Sequence, residues 1–98
     1  MFYFCNVKNE MVMKIKGMMS LLEKKGVHVC GTTDDFFSSE IDNKGIWVAA
    51  DHTPELFDYY NRDWMDTFGV NPKINKVIEK NGWWCEWYDS GTMMVWPS

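Results

Sequence analysis

Cysteine is scarce and awkwardly placed. Cys5, Cys30 and Cys85 are odd in number, widely separated, and form no C-x-x-C pair. That pattern fits free thiols in a reducing compartment better than a secreted disulfide framework, with one bridge plus one free thiol as the alternative. No apolar run approaches the length of a membrane span. No Asn-x-Ser/Thr acceptor occurs, and the opening Met-Phe-Tyr-Phe-Cys-Asn-Val-Lys lacks the basic segment and cleavage site of a signal peptide. A cytoplasmic protein is the expectation. Also missing are a Gly-rich phosphate loop, an H-E-x-x-H helix and EF-hand spacing. Internal repeats, low-complexity segments and linkers are absent as well.

What is present is aromatic and soft. The 98 residues include six Trp, six Phe, four Tyr and eight Met. This length suits one domain over residues 1–98 with a single core, and leaves little room for an enclosed cofactor. No cofactor is expected. The net charge of −4 is unevenly spread. Five lysines oppose Glu10 and Glu23 in residues 1–30, a local balance of +3. Nine acids oppose Lys44 and Arg62 in residues 31–70, a balance of −7, and residues 71–98 are neutral. So acidic a centre disfavours direct contact with nucleic acid and favours a partner with a basic surface.

Along the chain, Phe2 to Val7 reads as a strand. Asn9 caps a predicted helix to about Lys25, with Met11, Ile15, Met18 and Leu22 on one stripe and Gly26 as its stop. Alternation over residues 11–16 also allows a strand there. Val27 to Thr32 reads as a short strand. Phe36 to Ile41 and Gly45 to Ala50 read as a hairpin around Asp42-Asn43-Lys44-Gly45.

Asp51 to Gly69 carries the strongest helix pattern. Thr53 is the cap, Pro54 takes the first position, and Gly69 is the stop. Phe57, Tyr60, Trp64 and Phe68 form an apolar stripe that Leu56 and Met65 widen. Arg62 is spaced to pair with Asp58 or Asp66.

Asn71-Pro72 starts a short helix with Ile74, Val77 and Ile78, ended by Asn81-Gly82. The tail is a predicted hairpin around Asp89-Ser90-Gly91, pairing Tyr88 with Thr92, Glu86 with Met94 and Trp84 with Trp96. Its apolar face is Trp83, Cys85, Trp87, Met93 and Val95. The other face, with Trp84, Glu86, Tyr88, Met94 and Trp96, is half wet or a contact surface, since a carboxylate fits poorly in a dry interior. The fold class expected is α+β, with an antiparallel or mixed sheet of about five or six strands and two or three helices mainly on one face.

Chemistry-bearing residues are few. His28 and Cys30 share a strand face and, with Cys5 and Cys85, form the weak zinc alternative to buried apolar thiols. No cysteine is placed to have its pKa lowered, as a nucleophile requires. His52 at a strand-to-helix junction, with Asp51 or Asp58 orienting it, is the weak general-base candidate, against the simpler reading of a polar capping loop. Asp34, Asp35, Glu40 and Asp42 match no cation-binding template.

The first functional expectation is therefore a binding or inhibitor protein acting by protein–protein contact. One form of it is a phage- or mobile-element-encoded inhibitor occupying a basic, nucleic-acid-binding site. Asp34, Asp35, Glu40, Asp42, Asp58, Asp63 and Asp66 supply charge, while Tyr59, Trp84, Tyr88 and Trp96 supply apolar anchors. One alternative is a small enzyme or ligand-binding domain using the Asp51–His52 junction and the tail aromatics. The other is a homodimerising module.

Overall fold

The computed structural model describes residues 14–37 and 44–97. The helix α1 (Ile15–Lys24) leads to strand β1 (Val29–Thr32), a short helix α2 (Thr33–Phe37) and strand β2 (Ile46–Ala49). A 3-10 turn (Ala50–His52) and a 3-10 segment (Arg62–Thr67) precede helix α3 (Pro72–Lys80), strand β3 (Trp83–Asp89) and strand β4 (Thr92–Pro97). The strands form one antiparallel sheet in the order β1-β2-β4-β3. The class is the expected α+β, but the sheet has four strands among the described residues, below the five or six expected. The proposed strand at Phe2 to Val7 and the proposed cap at Asn9 lie outside the described residues.

Ile15 and Lys16 begin α1, so these two residues follow the helical alternative for residues 11–16. Met18 and Leu22 bury one stripe completely. The helix ends where Gly26 takes a φ of 90°. There the Gly26 amide donates to the Glu23 carbonyl at 3.1 Å and the Val27 amide to the Leu22 carbonyl at 3.0 Å, which satisfies carbonyls the helix leaves open.

The first arm of the central hairpin is a correction. Phe36 and Phe37 belong to α2, and β2 pairs with β1 and β4 instead. Two side chains decide this. Asp35 accepts from the Thr32 amide at 3.0 Å and the Thr32 hydroxyl at 3.2 Å. The fully buried Thr33 hydroxyl accepts from the Gly45 amide at 2.9 Å. The chain is thereby turned off the sheet directly after β1.

A larger correction falls on Asp51 to Gly69. The Thr53-Pro54 signal does start a turn, with the Leu56 and Phe57 amides both donating to the Thr53 carbonyl at 3.0 Å. It goes no further, because Phe57 pairs with Val70 in an antiparallel bridge. On either side of that bridge, the Asp58 amide donates to the Gly69 carbonyl at 2.7 Å and the Asn71 amide to the Leu56 carbonyl at 2.8 Å. Residues 57–70 are thus a loop closed at its base.

Within the loop, the Asp58 carboxylate accepts from the Tyr60 amide at 3.1 Å, and the Asn61 side chain accepts from the Asp63 amide at 2.8 Å. These local bonds offer the backbone an alternative to the helix. The surrounding aromatic residues are weak helix formers and do not resist it. Of the expected stripe only Phe57 is buried in the core, with Leu56 packed against it. Among the described residues no ion pair joins Arg62 to Asp58 or Asp66, since Asp58 precedes the 3-10 segment and that segment is kinked at Trp64, so α-helical spacing is lost.

Downstream the expectations hold more closely. Asn71 caps α3, its side chain accepting from the Lys73 amide at 2.9 Å, and Ile74 and Ile78 face the core. Trp84 pairs with Trp96 and Glu86 with Met94. Asp89, rather than Tyr88, pairs with Thr92, because a bulge between Trp87 and Asp89 absorbs Tyr88. The hairpin loop shrinks to Ser90-Gly91.

The sheet has two unequal faces. Ile46, Val48, Trp83, Met93 and Val95 meet α1, α3 and Phe57 in the main core. Trp47, Met94 and Glu86 are register partners on the opposite face. There Phe36 of α2 stands edge-on to Trp47 at 5.0 Å and to Tyr88 at 4.8 Å. Met94 is fully buried on this face, whereas Trp84 and Tyr88 remain exposed.

Candidate functional site

The closed loop lies against the core-facing side of β3, an edge strand among the described residues. The Trp87 indole N–H donates to the Phe68 carbonyl, which anchors the tip. Tyr59 stands edge-on to Trp87, with ring centres 5.3 Å apart and planes at 80°. Between loop and strand runs a cleft of about 450 Å³, lined by Tyr59, Asn61, Met65, Phe68, Gly69, Cys85 and Trp87. The loop exposes large apolar groups, all but Tyr60 of them bordering this cleft: Tyr60 is 76%, Met65 71% and Phe68 80% accessible, with Tyr59 at 51%. Sequence periodicity places Tyr60, Met65 and Phe68 on a buried stripe, which their exposure overturns, whereas Trp87, expected in the core, does pack against it and also borders the cleft. The signal that could have corrected this is the pair Asp58 and Asn61, two locally bonding residues inside a presumed helix.

The expected contact residues are not gathered in one place. Asp34 pairs with Lys44 at 2.9 Å, and Asp35 is bonded to Thr32. Both belong to α2, on the sheet face opposite the closed loop. Asp58, Asp63 and Asp66 lie on the loop with Tyr59, while Glu40 and Asp42 lie outside the described residues. Trp84 and Tyr88 are on β3 and Trp96 on β4; Trp84 borders a small cleft with Asp66 and Phe68 of the loop, whereas Tyr88 packs against Phe36 of α2. The Trp96 indole N–H donates to the Glu86 carboxylate at 3.0 Å, which explains a carboxylate among aromatics.

His52 stands near His28, ring centres 5.0 Å apart, and its Nε2 is 4.0 Å from the Asp51 carboxylate. The two histidines line a broad polar cleft of about 540 Å³ together with Glu23, Gly26, Val27, Val29, Thr53 and Glu55. Neither Asp58 nor any tail aromatic borders it.

Cys30 and Cys85 sit on β1 and β3, at opposite ends of the strand order among the described residues, and so cannot share a metal; Cys5 lies outside the described residues. Among the described residues no group of three or more His, Cys, Asp or Glu is arranged to hold a metal ion. No described helix is long and apolar enough to cross a membrane.

Both described thiols are pushed toward the protonated form. For Cys30 desolvation is the main cause, opposed by the Ala49 amide and reinforced by Asp51. For Cys85 burial raises the pKa from 9.0 to about 12, with a smaller contribution from Glu79. A pKa raised on folding stabilises the native state fully below the unfolded value of 9.0, and that contribution is lost as pH climbs toward 12. The expected result is a fall in denaturant midpoint over that alkaline window that Cys85→Ala reduces. At neutral pH, iodoacetamide should label Cys85 far more slowly than an unfolded control.

No protein-family model, curated protein or solved structure matches this chain.

Proposed function

We propose that the protein is a binding protein acting through protein–protein contacts, and that its closed loop is the contact surface. The observation that carries this reading is the exposure of Tyr59, Tyr60, Met65 and Phe68 together on one short loop. A contiguous exposed apolar patch of this kind marks an interaction site, and aromatic residues and Met are enriched where partners meet. The base of the loop is tied by backbone bonds on both sides of the Phe57–Val70 bridge. Its side chains are therefore held before a partner arrives, which lowers the ordering cost of association.

Charge gives the partner its character. Asp58, Asp63 and Asp66 against Arg62 leave the loop with a surplus of acid. A basic surface is the fitting complement, and the basic, nucleic-acid-binding site of another protein is the form we favour. Acids at the edge of a contact act mainly on the rate of encounter.

Asp63→Lys combined with Asp66→Lys tests this without touching the bonds that shape the loop. With the partner recovered by affinity capture from the native host, the double variant should associate roughly tenfold more slowly at low salt, and its rate should depend less on salt. An unchanged association rate and salt dependence would sink the proposal.

A further inference from the structure

We infer that the cleft between Tyr59 and Trp87 receives a cationic side chain of the partner, an arginine or lysine carried on its apolar stem. This rests on the proposal that the loop is a contact surface, and names what that surface takes hold of. The two rings meet at 80° with centres 5.3 Å apart, so they form a right-angled corner rather than a closed stack. Met65 and Phe68 extend the walls. Aromatic faces carry negative quadrupole density and attract a cation placed within about 6 Å of the ring centre.

Among the described residues the lining contains no cation that would already neutralise this attraction, and Asn61 is its one amide side chain. Of the four charged residues on the loop, Asp58, Asp63 and Asp66 are acids and Arg62 alone is basic. The Cys85 thiol is held protonated and adds no charge. An apolar guest would also fill such a space, but would gain nothing from the surplus of acid that the loop carries. A guanidinium or ammonium on a methylene stem uses both features. The volume of about 450 Å³ is ample for one such side chain.

The probes are tetramethylammonium and tert-butanol, similar in shape and different in charge. Ring resonances of Tyr59, Phe68 and Trp87 are followed by NMR on the whole chain. Tetramethylammonium should shift them saturably, with an affinity roughly fivefold above that of tert-butanol. Tyr59→Leu keeps the apolar volume of a half-exposed residue and should abolish that preference. Equal responses to the two probes, or no saturable response to tetramethylammonium, would overturn the inference. If either occurs while Asp63→Lys/Asp66→Lys still slows partner association, the contact surface stands and the cation-binding role falls.

Discussion

Replacing Gly69 with alanine is expected to destabilise the protein by about 2–3 kcal/mol. Gly69 has a φ of 82°, which side chains with a Cβ adopt at a cost. The added Cβ would also lie 2.6 Å from the Asp58 carbonyl oxygen and 3.0 Å from the Tyr59 Cα. Both are backbone atoms inside the closure of the loop, so neither can swing away. Gly26 separates the two costs. Its φ is 90°, yet nothing lies within 4 Å of the position its Cβ would take. Gly26→Ala should therefore cost about 1 kcal/mol, the conformational part alone. Urea unfolding of the two variants gives the comparison directly. If Gly69→Ala costs no more than Gly26→Ala, residues 58 and 69 do not approach as described.

Ile78→Ala should cost about 3–4 kcal/mol, by lost burial and the cavity left behind. Ile78 is completely inaccessible on α3 and packs into the core formed by the sheet and α1. Domains of this size carry roughly 5–15 kcal/mol in all, so the variant gives up a large share. Val77, its half-buried neighbour, borders a surface groove with Lys25 and Lys73. Val77→Ala should cost about 1 kcal/mol or less. Equal losses at the two positions would mean that α3 does not turn the face described here toward the sheet.

The parts of the fold that short-range chemistry decides were readable in the sequence. Asn71-Pro72 and Gly26 each act through atoms within a turn of themselves, and they do what cap and stop residues do. The tail register follows from alternation, because a shift by one residue would turn Trp83 and Val95 out of the core. Only the bulge at Tyr88 moved the hairpin end.

Periodicity misled at Asp51 to Gly69. The spacing of Phe57, Tyr60, Trp64 and Phe68 suits a helix, but the Phe57–Val70 bridge joins residues thirteen apart in sequence, a pairing that no local pattern announces. Asp58 and Asn61 were the local hint. The candidate site shared this fate. Periodicity places Tyr59 on an exposed helix face and Phe68 in the buried stripe, while Trp87 packs against the core as alternation predicts and still borders the cleft. Only the closed loop brings all three together.

The most direct test of the loop as a contact surface is site-specific photo-crosslinking in the native host. A photoreactive side chain replaces Tyr60, which points into solvent, or Lys16, which is exposed on α1. The loop position should yield one dominant protein adduct that excess unlabelled protein competes away and that Asp63→Lys/Asp66→Lys weakens. The α1 position should not yield it. Adducts of the same protein in equal amount from both positions, or from Lys16 alone, would contradict the assignment of the closed loop as the partner-binding surface.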